Sequence, residues 1–164
     1  MTLDATLFDP ELYEEEADLS PTHPQVRIRH GRLAAEVDEG IAPLILACWR
    51  AGIDTLHSCQ GGKVVGEVVT RPYVHFPAVA AERFLRRIFD GLGNPLVDHV
   101  FGPDPDLEDE MTEEEAEAFE RDHRWEWHVN AHPPWWEAGL PRPWLGVSVD
   151  FPAADLPEIL RRLA

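Results

Sequence analysis

The segment Val74-His75-Phe76-Pro77-Ala78 returns as Val149-Asp150-Phe151-Pro152-Ala153, and Phe84-Leu85-Arg86-Arg87 is matched at the same offset by Ile159-Leu160-Arg161-Arg162. Each copy reads as a strand, a Phe-Pro corner and a helix. A helix that leaves a strand through so short a corner must fold back onto a face of the sheet that holds the strand. Two such units place their helices on one side. The expectation is an α+β fold of two layers, a mostly antiparallel sheet covered on one face by helices, built from two related strand–Phe-Pro–helix units.

The remaining periodicities fit this frame. Val26 and Ile28 alternate with polar residues, which predicts a strand over 25–29. Ile41, Leu44, Ile45, Cys48 and Trp49 mark one stripe of a buried helix. Asp38 or Gly40 is its expected cap, Gly52 its left-handed stop and Cys48 core filler. An extended stretch follows over 53–58, and a β-branched run, Val64 to Thr70, is interrupted by Gly66. Trp125, Trp127 and Val129 alternate against Glu126, His128 and Asn130, and 145–151 is a further strand. Residues 1–24 read as an acidic flexible lead-in, and 25–164 as a single α+β domain with an acidic helical insertion at about 104–122. In that insertion Thr112 and Glu115 have capping-box spacing.

The net charge of −17 lies in two segments. Residues 1–20 hold seven acids and no Lys or Arg, and residues 104–122 hold eleven acids against Arg121 alone. The rest of the chain is balanced, so a nucleic-acid partner is unsupported by charge. No apolar run has the length of a membrane span. With two cysteines and no basic-then-apolar stretch after Met1, a reducing, cytoplasmic setting is expected.

Strand alternation sends His75, Glu126, His128 and Asp150 to the face opposite the core. Two imidazoles and two carboxylates on one face suit acid–base chemistry. The segment His57-Ser58-Cys59-Gln60-Gly61-Gly62 ends a predicted strand in a loop whose free amides are expected to approach a ligand. Cys59 is a candidate nucleophile if a histidine lowers its pKa. Catalytic candidates are therefore Cys59, His57, His75, His128 and Asp150, and ligand-binding candidates are Thr55, Ser58, Gln60, Gly61, Gly62, Glu126, Trp135 and Trp136. Cys59 and His57, on one strand face at i, i+2, are also potential metal ligands, with His75, His128 and His132 to supply the rest. No paired metal-ligand motif is present, however, so no metal is expected, and the cofactor is unknown. P-loop, dinucleotide-binding and Gly-x-Ser-x-Gly patterns are absent.

The motif Thr55-x-x-Ser58-Cys59-Gln60-Gly61-Gly62, with Val37-Asp38-Glu39-Gly40-Ile41-Ala42-Pro43-Leu44 before it and Tyr73-Val74-His75-Phe76 after it, resembles small proteins of actinobacteria and their phages over roughly residues 26–90. That resemblance implies no activity. The Thr-x-x-Ser-Cys-x-Gly element is also similar to one in tRNA wybutosine-synthesising protein 3, a tRNA methyltransferase family. This chain has His57 and Gln60 where that family has Ser, and Gly62 where it has Arg.

Two functions are compatible with these features. One is a small-molecule binding or catalytic site walled by the 58–62 loop, with His75 and His128 as polar contacts and Trp135 or Trp136 as a lid. It requires Cys59 to be partly exposed and to titrate below a free thiol. The other is an acidic interaction protein, phage-related, that binds a basic partner or mimics nucleic acid through its acidic segments.

Overall fold

The computed structural model describes residues 23–66, 68–91, 93–103, 110–132 and 144–164. The fold is α+β. Strands β1 (Gln25–His30) and β2 (Leu33–Asp38) form an antiparallel hairpin, followed by helix α1 (Ala42–Arg50). Strand β3 (His57–Cys59) leads into a small hairpin, β4 (Val64–Val65) with β5 (Val68–Val69). Strand β6 (Tyr73–Pro77) runs directly into α2 (Ala78–Ile88), then come α3 (Val97–Phe101) and α4 (Glu113–Asp122). Strands β7 (Glu126–His132) and β8 (Trp144–Asp150) precede a short turn of 3-10 helix and the last helix, α5 (Leu156–Leu163).

The main sheet is antiparallel, in the order β3-β6-β8-β7. The two repeat units sit side by side at its centre. Val74 of β6 is the direct partner of Val149 of β8, and these are equivalent positions in the repeat. Around that pair the units are related by a local two-fold: Tyr73 faces Asp150, and His75 faces Ser148. Both units therefore turn the same face to the helices. Val74, Phe76, Val149 and Phe151 are fully buried against Phe84 and Ile88 of α2, Ile159 and Leu163 of α5, and Ile41, Leu44 and Ile45 of α1. The rings of Phe76 and Phe84 stack with centroids 4.9 Å apart. Burying a single such side chain stabilises the fold by about 1.5–3 kcal/mol.

The local signals account for most element ends. Gly31, at φ +58, opens the two-residue β1–β2 turn, and a glycine in that first position is what a type II′ hairpin requires. Pro43 stands in the first turn of α1, where its missing N–H costs nothing. The Thr112 hydroxyl accepts from the Glu115 amide, and the Glu115 carboxylate accepts from the Thr112 amide, a complete capping box on α4.

Three expectations are corrected here. Neither Asp38 nor Gly40 caps α1. The residue before the helix is Ile41, and Asp38 ends β2 with its carboxylate turned to other partners. Strand β2 itself, Leu-Ala-Ala-Glu-Val-Asp, was not predicted. Its alanines and glutamate favour helix, and it is held extended by pairing with β1. Helix α3 was also missed, being too short to show a period. It covers the core edge with Val100, beside the buried Leu96 that precedes it. A buried carboxylate ties that edge down: Asp155 Oδ2 accepts from Trp125 Nε1 at 2.8 Å and lies 2.8 Å from His99 Nδ1.

Candidate functional site

On the face of the sheet away from the helices, the register lines up two rows of polar side chains. One row runs Cys59, Tyr73, Asp150, Glu126 across all four strands, and the other runs His57, His75, Ser148, His128. They share a face because their positions alternate with Val74, Phe76 and Val149, which are buried on the opposite side. The candidates His57, Cys59, His75, Glu126, His128 and Asp150 thus stand together on one sheet face.

A cleft of about 510 Å³ opens over the first row. Cys59, Tyr73, Asp150 and Glu126 line its floor, and Lys63, Val68, Val69, Thr70 and Arg71 line its wall. The wall is the β4–β5 hairpin and the segment leading into β6. Val68 and Val69 are exposed, an unusual state for a pair of valines that face no core. Arg71 fixes the wall relative to α4. Its guanidinium donates to the backbone oxygens of Arg121 and Arg124, and at 3.4 Å to that of Glu120, where the helix leaves carbonyls without partners.

The floor is electrostatically shaped. Burial raises the Asp150 carboxyl above its ordinary range, against the lowering effects of His128, the Ser148 hydroxyl and Arg71. The Ser148 hydroxyl donates to Asp150 at 3.3 Å. Tyr73 is also raised, first by burial and then by the negative potential of Cys59, Asp150 and Asp38. His128 and Glu126 are exposed at the rim, 3.6 Å apart. His57 is exposed, with its ring 6.2 Å from that of His75. His75, expected as an accessible contact, is buried at 7% exposure.

The 58–62 loop departs from expectation. Its amides are not free: Gln60 N donates to Asp38 Oδ2 (3.1 Å), Gly61 N to Cys59 Sγ (3.4 Å) and Gly62 N to the Thr70 oxygen (2.7 Å). The Gln60 side chain accepts from Gly40 N at 2.6 Å, and Thr55 Oγ1 accepts from Trp49 Nε1 at 2.9 Å. Ser58, paired with Val74, stands on the opposite side of β3 from Cys59. These residues build the site without facing the cleft. Trp135 and Trp136 lie outside the described residues.

Cys59 is partly exposed, but its thiol is raised, not lowered. Burial is the main cause, and the Asp38 carboxylate adds to it, while the Gly61 amide and Lys63 act the other way. A histidine does approach it, and it is His23. His23 Nδ1 lies 3.9 Å from Cys59 Sγ and 3.0 Å from Asp38 Oδ2. A Cys-His-Asp relay needs the sulfur and the carboxylate on different ring nitrogens. Here both meet Nδ1, so the arrangement is not a nucleophile with its base. Cys59 is partly exposed as expected, and the expected lowering of its thiol is corrected: burial and Asp38 raise it.

His23, Asp38, Tyr73, Lys63, Thr70 and Arg71 were not expected at the site from sequence. Tyr73 follows from extending the alternation used for His75, whereas His23 and Asp38 reach the site through the β1–β2 hairpin, whose second strand leaves no periodic mark. No family model, curated protein or solved structure matches the chain.

Proposed function

We propose that the chain binds a small polar molecule in the cleft over the open face of its sheet, with Asp150 as the central acceptor. The observation that carries this reading is the row Cys59–Tyr73–Asp150–Glu126 flooring a cleft whose far wall is Lys63, Thr70 and two exposed valines. A volume of about 510 Å³ falls in the range of small-molecule sites, about 300–1,000 Å³. Two carboxylates on the floor favour a ligand bearing a cationic or hydrogen-bond-donating group, and the valines favour an apolar portion beside it. Burial raises the Asp150 carboxyl, so it holds a proton more readily than an exposed carboxylate beside such a ligand. Cys59 in this reading is part of the floor, not a nucleophile.

The test is NMR titration with small primary amines, namely amino acids, polyamines and amino sugars. Binding should shift the amides of Tyr73, Asp150 and the β4–β5 hairpin, and Asp150→Asn should weaken it at least about tenfold, the loss expected for a charge-assisted hydrogen bond. Shifts scattered over the surface, or an affinity unchanged by Asp150→Asn, would refute the reading. Helix α4 buries none of its residues and keeps its acids in water, which solvation explains without a basic partner.

A further inference from the structure

Three side chains from three separate parts of the chain converge beside the cleft. His23 stands just ahead of β1, Asp38 ends β2 and Cys59 ends β3. One ligand-type atom of each, Nδ1, a carboxylate oxygen and Sγ, lies within 4.8 Å of both others. His23 and Asp38 side chains are 13% and 12% exposed, so the group is sheltered but reachable. We propose that His23, Asp38 and Cys59 form a binding site for a divalent cation of the zinc class. This goes beyond the small-molecule reading and does not depend on it. It also reverses the sequence expectation of no metal, with a ligand set that His57, His75 and His128 do not enter.

The donor set argues for the class of ion. Thiolate, imidazole and carboxylate together suit a borderline-soft cation, whereas magnesium and calcium take oxygen ligands alone. The geometry is close to what such an ion needs. Zinc bonds of about 2.0–2.1 Å to nitrogen, 2.0–2.2 Å to oxygen and 2.3 Å to sulfur, at tetrahedral angles, put N and O about 3.4 Å apart and N and S about 3.6 Å apart. The separations here are 3.0 Å and 3.9 Å. Those two ligand pairs need adjust by less than about half an ångström, and the carboxylate oxygen and sulfur lie within 4.8 Å of each other.

The surroundings hold the donors as a metal site requires. Gln60 N donates to Asp38 Oδ2 and Gly61 N to Cys59 Sγ, bonds that orient a carboxylate and stabilise a thiolate. His23 is fixed from behind, since Pro24 accepts from the Glu39 amide at 2.8 Å, and Gly40 is joined to Gln60. Convergence on one ring nitrogen, which rules out a relay, is what a shared ion would produce. On binding, the cation takes the place of the Cys59 thiol proton, which leaves to water, and Nδ1 binds through its lone pair while the ring proton moves to Nε2. Three protein ligands leave a fourth position for water or a ligand atom, and Cys59 also lines the cleft.

Cobalt(II) titration of the metal-stripped full chain tests this directly. The expected result is one cobalt per chain, with a thiolate-to-cobalt charge-transfer band and intense d–d bands of four-coordination, both displaced by zinc. Cys59→Ser should abolish the charge-transfer band. His23→Ala and Asp38→Asn should each weaken binding by more than about 100-fold, since losing an outer partner alone costs about 10–100-fold. His128→Ala should change nothing. Zinc should also shield one thiol of the wild type from alkylation, and fail to do so in His23→Ala. No charge-transfer band, or one that survives in the His23 and Asp38 variants with circular dichroism unchanged, would overturn the proposal. Loss of binding in His128→Ala instead would place the ion on the sheet face and overturn it equally.

Discussion

Gly61 and Gly62 are adjacent, both left-handed (φ +68 and +81), and they should respond very differently to the same substitution. A Cβ on Gly62 meets nothing within 4 Å. A Cβ on Gly61 would lie 2.4 Å from the Arg71 carbonyl carbon, 2.5 Å from Pro72 N and 2.7 Å from the Thr70 oxygen. All three atoms are backbone and cannot rotate away. Gly62→Ala therefore carries only the left-handed penalty of about 1–2 kcal/mol, less the 0.4–1 kcal/mol by which alanine restricts the unfolded chain, so about 1 kcal/mol in all. Gly61→Ala carries the same amount and must also push the strand entering β6 back by roughly 1 Å to reach ordinary contact at about 3.5 Å. Forced overpacking of that kind adds about 1–3 kcal/mol. The two variants should thus differ by about 2 kcal/mol, or about 4–8 °C in melting temperature for a chain of this size.

Urea unfolding followed by tryptophan fluorescence reads the difference, and amide exchange shows where it arises. In Gly61→Ala the bonds Gly62 N to Thr70 O (2.7 Å) and Lys63 N to Thr70 Oγ1 (3.0 Å) should open, and exchange at both amides should accelerate. In Gly62→Ala they should stay protected. Equal midpoints with equal exchange would show that the loop does not pass against the β5–β6 connection, and the cleft wall described above would be wrong.

Other consequences are as direct. Asp155→Ala should destabilise by about 1–3 kcal/mol, because the buried Trp125 Nε1 loses its acceptor, while Asp155→Asn keeps an oxygen there and should lose less; thermal unfolding of the two variants separates them. In metal-stripped protein a thiol reagent should count one reactive cysteine in the native state and two in denaturant, because Cys48 is fully buried with its thiol pushed up to about 12. Asp150 has a folded-state carboxyl raised above 3.8, so the folded chain holds that proton more tightly than the unfolded one. Its contribution is present below about pH 3.8 and is lost as pH rises through the folded value. Stability of Asp150→Asn relative to wild type should therefore rise across that window and then level off, and a relative stability that stays flat or falls with increasing pH would contradict the burial assigned to this side chain.

Much of the fold was legible because its signals are local. The alternation in 73–76, 125–130 and 145–151, the stripe from Ile41 to Trp49 and the Thr112–Glu115 box each name an element without reference to the rest of the chain. Alternation also carried His75, Glu126, His128 and Asp150 to one face, since a period of two fixes the side on which a residue stands whatever the strand order. What local signals cannot give is which backbone groups find partners. The amides of Gln60, Gly61 and Gly62 look free in sequence, and they are taken by Asp38, Cys59 and Thr70, residues brought close by the β1–β2 hairpin and the β4–β5 turn. His23 sits in an acidic segment with no periodicity, and only its approach to Asp38 at 3.0 Å gives it a role. Charge was similarly silent: the acids dominate the net charge, yet α4 meets the cleft wall through backbone carbonyls at its C-terminal end that Arg71 grips, not through its carboxylates.

The location of the cleft follows from the pairing of the two repeat units. Because equivalent residues Val74 and Val149 face each other across antiparallel strands, the local two-fold sends both trailing helices, α2 and α5, to the same side. An arrangement of parallel units offset by one residue would have put one helix on each face and buried both. Among the described residues no helix packs on the second face as α2 and α5 do on the first, and the equivalent positions His75 and Asp150, and Tyr73 and Ser148, stand there, one member of each from either unit. The flanking strands β3 and β7 then extend the same two rows outward to Cys59 and Glu126, and to His57 and His128. Among the described residues the β4–β5 hairpin rises over this surface near Cys59, which places the cleft at the Cys59–Asp150 end. The polar site thus lies on the face that the pairing of the core strands turns away from α2 and α5, and moving the hairpin, not the sheet, is what would move it.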